Sequence, residues 1–214
     1  MEEKMSLCRY LGRACVEVID DEEHLIIDPN YIQSPRKGIN KILITHEHDD
    51  HFNSEKIQKI GEQYIREDQD LEIYGAKSIE NKVALEAPII VEGGDIVDLE
   101  NGEIKVFDVD CWGSDSSVAY LIEIDGKTIL HTADSAKYSE SLKNIDKGVD
   151  CCFVACFEDN YNDYLDFINT INPELTIPYH FGPDEEDMGK NLAEYLEEHD
   201  VNVKYLSPGE NVQI

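Results

Sequence analysis

The chain has 214 residues, 41% of them hydrophobic and 8% aromatic, which is the composition of a globular protein and not of a disordered one. Its formal net charge of −29 argues against a nucleic-acid partner, because a polyanion is bound by neutralising its phosphates with Lys and Arg. No apolar run approaches the roughly 20 residues that a membrane span needs, and the opening MEEKMSLCRY has neither a basic n-region nor an apolar h-region, so no signal peptide is expected.

The first 45 residues read as short strands. SLCRYLG, ACVEVID, HLIIDP and KILIT are β-type runs, broken by Gly12, by the acidic turn Asp20–Glu23 and by Asp28-Pro29-Asn30. Residues 29–40 are expected as a loop. Asn53 or Ser54 can cap a helix running to about Glu67, with Ile57, Ile60, Tyr64 and Ile65 on or near one face. A strand at LEIYG, a short helix near 77–85, the run PIIV and a turn at EGGD follow.

The second half repeats this order. Strands are expected at 103–109, 118–124 and 127–131, the last two joined by the hairpin turn DGK. A short helix fits 138–145, a strand 150–155 and a helix 162–170. ELTIPYH is a strand ending in His180, residues 185–199 are an amphipathic acidic helix, and NVKYLS is expected as the last strand. Two mixed sheets packed face to face, with helices outside, would bury these strands. The expected fold is α/β, a single domain over 1–214 built as a four-layer αββα sandwich.

Six cysteines (Cys8, Cys15, Cys111, Cys151, Cys152 and Cys156) form no CxxC pair, so a structural zinc ribbon is not expected. With no export signal, and with VDCCFVAC reading as a buried strand, they are expected to be reduced thiols in a cytoplasm.

The stretch LITHEHDDHF carries the chemistry. Positions 46–51 hold three of the chain's seven histidines, two aspartates and a glutamate, directly after an apolar strand. His46 and His48 are two apart, so in extended chain they point to one side, and Asp50 and His51 follow in the turn before a helix. A strand end feeding a tight loop can aim four such groups at one point, and neutral imidazole with carboxylate suits zinc and similar metals. An HExxH helix is excluded because Asp50 stands where its second histidine would be. A zinc deaminase is excluded because no PCxxC is present. The plain alternative, a solvated polar loop, fits poorly with so many histidines in six positions.

THEHDDH matches the HxHxDH signature, and the chain thereby resembles the metallo-β-lactamase superfamily. YLGRACVEVID and LIIDP resemble the opening strands of the branch that includes ascorbate-phosphate lactonases and many uncharacterised metal-dependent hydrolases. VAYLIEIDGKTILHTADS resembles the family's strand pair that ends in a metal-bridging aspartate, and TIPYHFG its last metal-binding histidine. The resemblance implies the αββα sandwich, with a two-metal site at one edge of the sheets. It implies that His46 and His48 hold a first metal, that Asp50, His51 and His180 hold a second, and that Asp134 bridges them. Asp50 would also orient the nucleophile, and His131 would stand behind the ligands.

One family landmark is missing. The third histidine of the first site would lie shortly before the strand at 118–124, but no histidine occurs between His51 and His131. Asp115 is the first candidate to replace it, Cys111 the second, and a water or a weak first site the third. An Asp115 ligand would harden the site and shift preference from Zn2+ toward Mn2+ or Fe2+. Arg13 departs from the family too, as either a salt-bridge partner or an anion-recognition group. The expected function is hydrolysis of a small-molecule ester, lactone or phosphoester by one or two metal ions, Zn2+ first. No nucleic-acid or membrane partner is expected, and oligomeric state is left open. The alternative is a non-catalytic or single-metal paralogue that binds a ligand or partner. A nuclease would need a basic surface, and a glyoxalase II-like thioesterase would need the missing histidine and an added binding region.

Overall fold

The computed structural model describes residues 6–67, 70–135 and 137–214. Strands β1 (Leu7–Gly12), β2 (Cys15–Ile19) and β3 (His24–Ile27) form an antiparallel meander. Strands β4 (Lys41–Ile44), β5 (Glu72–Gly75) and β6 (Ile89–Ile90) extend it in parallel. The second sheet is built the same way. Strands β7 (Ile96–Leu99), β8 (Gly102–Val109), β9 (Ser117–Ile124) and β10 (Lys127–His131) are antiparallel, and β11 (Cys151–Ala155) and β12 (Leu175–Tyr179) add on in parallel. Strand β13 (Asn211–Gln213) returns to the first sheet beside β1. The sheets run β13-β1-β2-β3-β4-β5-β6 and β12-β11-β10-β9-β8-β7.

Period-two patterning sets the layers. Val16 and Val18, Leu25 and Ile27, and Leu43 point into the core shared with the second sheet. Their neighbours Cys15, Ile26, Ile42 and Ile44 point outward, where Ile57 and Ile60 of helix α1 (Ser54–Gln63) cover them. Strands β9 and β11 are buried along nearly their whole length, which is why they read as unbroken apolar runs. Beyond the short helix α2 (Glu140–Lys143), helix α3 (Tyr161–Ile171) buries Tyr164, Phe167 and Ile168, and helix α4 (Glu186–Glu197) lays Leu192 and Leu196 over β12. The result is two mixed sheets flanked by helices, an αββα sandwich. Among the described residues no helix is long and apolar enough to cross a membrane.

Four local expectations are corrected. Helix α1 stops at Gln63 instead of Glu67, because Gly38 and Ile39 donate their N–H groups to the Tyr64 carbonyl and Ile65 bridges to Ile39. The helix expected near 77–85 is a single 3-10 turn, Lys77–Ile79, with Asn81 left-handed (φ 65°) just beyond it. Strand β7 was not anticipated; it pairs with β8 across a tight turn. NVKYLS makes only one bridge, Val203 to Thr176, and the last strand is the segment after Gly209.

Strand direction places the site. Strands β8, β10 and β12 run the same way, so the segments that follow Val109, His131 and Tyr179 emerge on one edge of the second sheet. Strands β3 and β4 are likewise parallel, and the segments after Ile27 and Ile44 emerge together from the first sheet.

Candidate metal centre

After Ile44 the backbone leaves β4, and the Thr45 N–H donates to Asp28 Oδ1 at 2.7 Å. A tight turn follows, in which the N–H groups of His51 and Phe52 both donate to the His48 carbonyl, at 2.9 and 2.8 Å. Asn30 anchors the turn from outside through a side-chain bond to the Asp49 carbonyl. Asn53 then caps α1 by accepting from the Lys56 N–H.

The ligand-type atoms gather in two groups. In the first, His46 Nε2 lies 3.0 Å from His48 Nδ1, and Cys111 Sγ lies 3.4 Å from His46 Nε2 and 3.4 Å from Asp134 Oδ2. In the second, His51 Nε2 lies 2.9 Å from His180 Nε2, and Asp50 Oδ2 lies 3.2 Å from the same His180 atom. Asp134 stands between them, its Oδ2 3.7 Å from His46 Nε2 and 3.8 Å from His51 Nε2. His46, His48, Asp50, His51, Asp134 and His180 are thus brought together. Asp115 is not: it is exposed and falls outside both groups, and the residue from its loop that enters the first group is Cys111.

Two further loops hold these side chains. Tyr179 donates to the Ala133 carbonyl at 2.5 Å and fixes the left-handed Ala133 (φ 54°) that presents Asp134. His180 is itself left-handed (φ 73°), and its N–H donates to the Arg13 carbonyl at 2.9 Å. The Tyr10 hydroxyl lies 2.9 Å from that carbonyl and accepts from the Phe181 N–H at 3.2 Å. Arg13 therefore serves the site through its backbone, while its side chain is exposed.

Asp28 and Thr45 set the imidazole tautomers. Asp28 is fully buried, and its Oδ2 accepts from His51 Nδ1 at 2.7 Å and from the Thr45 hydroxyl at 2.8 Å. The Thr45 oxygen, its proton committed to Asp28, is left to accept from His46 Nδ1 at 3.0 Å. Both histidines then carry their proton on Nδ1 and aim the Nε2 lone pair at the cluster, which is the outer support that metal-ligating histidines use. Burial, and then the neighbouring His51, bring His46 down to about 4, so it is neutral at neutral pH. For His51 burial opposes charge, but the Asp28 carboxylate wins and raises it. Burial likewise opposes the ionised forms of Asp50 and Asp134. The His180 hydrogen bond at Asp50 and the surrounding imidazoles at Asp134 nevertheless hold both below the usual carboxylate range.

The donor set fits divalent metal ions. Two pairs of imidazole nitrogens face each other at about hydrogen-bond distance, and in each pair one member, His46 Nε2 or His51 Nε2, belongs to a ring whose proton is assigned to Nδ1; among the described residues the buried Asp134 Oδ1 has no hydrogen-bond partner. Such orphaned, converging acceptors call for a cation. They open on a cleft of about 450 Å³ lined by His48, Asp49, Trp112, Asp134, Phe157 and Asn160.

The family model of the beta-lactamase superfamily domain matches residues 8–180. The chain belongs to the metallo-β-lactamase superfamily. It is similar to a metal-dependent hydrolase of Thermus thermophilus, 26% identical over 96% of this chain and 98% of that one. Among solved structures it is similar to Igni18, a metallo hydrolase from Ignicoccus hospitalis (16% identity, TM-score 0.77, 98% of each chain). It is also similar in fold to CmlA, a diiron β-hydroxylase from Streptomyces venezuelae (16% identity, TM-score 0.75, all of this chain and 55% of that one). At that identity the likeness is one of fold, and this metallo-β-lactamase fold by itself does not set metal or reaction.

Sequence reading missed Asp28, Thr45 and Glu47 as parts of the site. The first sits in DPN, which reads as a turn. The signal was there in one respect, since a carboxylate closing the apolar run HLII ends a buried strand. Glu47 accepts from the Ser114 hydroxyl at 2.6 Å and so ties the loop after β8 to the histidine turn.

Proposed function

We propose that this chain is a metal-dependent hydrolase of a small-molecule ester, lactone or phosphoester. The observation that carries the reading is Asp134, a carboxylate set between two groups of imidazole and carboxylate donors. His46, His48 and Asp134 would hold one divalent ion, and Asp50, His51, His180 and Asp134 a second, with Zn2+ the first choice for this donor set. Bound there, such ions supply Lewis acidity and a water acidic enough to act as nucleophile near neutral pH.

The chain's own residues do the rest. Asp28 and Thr45 accept the Nδ1 protons of His51 and His46, so in the neutral imidazoles Nε2 is the lone-pair nitrogen that faces the cluster. Asp50, held ionised and partly exposed beside His180, would accept a hydrogen bond from the attacking water at Oδ and orient it toward the substrate. Phe157 packs against the His180 ring, with centroids 4.8 Å apart, and keeps bulk water from that side. Trp112, 95% exposed at the cleft mouth, offers a flat apolar face to a bound substrate. Among the described residues no Lys or Arg lines the cleft, and the chain carries −29, which supports a small substrate over a nucleic acid.

The test is turnover of p-nitrophenyl acetate, a δ-lactone and bis(p-nitrophenyl) phosphate by Zn2+-loaded protein. Hydrolysis of at least one, lost on chelation and restored by Zn2+, is the expected result. Turnover that survives thorough chelation contradicts it.

A further inference from the structure

The loop after β8 is fastened over the first group at three points. The Ser114 hydroxyl donates to Glu47 Oε2 at 2.6 Å, and Glu47 lies between His46 and His48 in the chain. The Ser78 N–H donates to the Ser116 hydroxyl at 2.7 Å and fixes the far end of the loop. Gly113, left-handed at φ 83°, lies against His48, with its ideal Cβ position 3.7 Å from Nε2. These contacts set Cys111 down with Sγ 3.4 Å from His46 Nε2, 3.7 Å from His48 Nδ1 and 3.4 Å from Asp134 Oδ2. All four atoms lie within 4.8 Å of one another, as donors around a single cation would. The same loop leaves Asp115 exposed and outside the group.

We propose that Cys111 is the third side-chain ligand of the first metal, as a thiolate, beside His46, His48 and Asp134. The proposal rests on the metal-dependent reading above and adds the ligand that this reading lacks. When the bond forms, the Cys111 thiol gives its proton to solvent, and its sulfur displaces a water from the incoming aqua ion. Nothing is oxidised or reduced. The consequence is opposite to that of a carboxylate at this position: sulfur softens the site and selects a thiophilic ion, Zn2+ before Mn2+ or Mg2+. The other five cysteines are buried in the core or beneath the sheets, so the thiol signature of metal binding belongs to one residue.

Cobalt(II) is the probe. Titrated into metal-free protein, it should give visible ligand-field bands together with a near-ultraviolet thiolate-to-cobalt charge-transfer band. That band should be absent from Cys111→Ser and Cys111→His and unchanged in Asp115→Ala. The second readout uses the unmodified chain: at cobalt about ten times its Kd, alkylation of Cys111 by iodoacetamide, followed by peptide mass spectrometry, should slow about tenfold. Cobalt binding with ligand-field bands but no charge-transfer band, and no protection of Cys111, overturns the thiolate ligand and leaves the metal-dependent reading standing. A charge-transfer band that persists in folded Cys111→Ser overturns it equally. No cobalt binding at all overturns both.

Discussion

Replacing Asp28 by asparagine tests the link between a residue that touches no metal position and the chemistry of the site. Asparagine tolerates the left-handed backbone at this position (φ 49°), where alanine would add strain of its own. The amide can keep its oxygen toward the Thr45 N–H, now served by Oδ1 at 2.7 Å. Its NH2 then replaces Oδ2, which accepts from His51 Nδ1 at 2.7 Å and from the Thr45 hydroxyl at 2.8 Å. Two donors cannot face each other, so His51 must move its proton to Nε2, the atom aimed at His180 and the second group. Binding a cation at Nε2 then requires reversing that tautomer and leaving a buried donor unpaired, at about 1–3 kcal/mol. At 1.4 kcal/mol per factor of ten, second-site affinity should fall about 5- to 150-fold, in line with the roughly 10–100-fold typical of partners behind ligating histidines. Competition against a chromophoric chelator measures the affinity. Long-range 15N–1H NMR of the metal-free protein reads which His51 nitrogen is protonated. A folded Asp28→Asn protein with unchanged affinity and the proton still on Nδ1 would refute the reasoning.

Three further outcomes are expected. His180→Ala should abolish hydrolysis with an unchanged circular dichroism spectrum, whereas His51→Ala should lose activity and stability together, because it leaves the buried Asp28 carboxylate without its partner, at about 3–5 kcal/mol. Chelation should lower Tm as well as activity: ion held at about 100 times its Kd stabilises by about 2.7 kcal/mol, worth about 5–11 °C at about 2–4 °C per kcal/mol for a chain of this size. Gly189→Ala in α4 puts a Cβ 2.5 Å from the buried Phe181 ring, beside His180, so stability should drop by the about 1–3 kcal/mol of an overpacked core, which is about 2–12 °C in Tm, and second-site affinity should weaken with it. Thermal melts and metal titrations of the variant check both.

The layered fold was legible because the alternating Val-Glu-Val of CVEVI carries its own facing, and unbroken runs such as KILI and CCFVA mark strands buried on both faces. The edges were not. Strand β7 alternates exposed and buried positions over four residues, and β13 spans only three, so their pairing is decided by the neighbouring strand more than by their own pattern. Of the site, the HxHxDH turn is local and was plain in the sequence. The choice between Cys111 and Asp115 was not, because both belong to one irregular loop. Which of them folds inward depends on Ser114 meeting Glu47 and on the left-handed Gly113, contacts 67 positions apart in one case and a backbone conformation in the other. Asp28 was hidden for the same reason, since its partners Thr45 and His51 lie 17 and 23 positions away, across a parallel strand pair.

Anomalous diffraction at the zinc edge from crystals of the Zn2+-loaded protein tests the central claim most directly. Two peaks are expected. One should lie about 2.0–2.3 Å from His46 Nε2, His48 Nδ1 and Asp134, and the other at the same distance from Asp50, His51 Nε2 and His180 Nε2. A structure with no peak at these atoms, or with zinc bound only elsewhere on the chain, would contradict it.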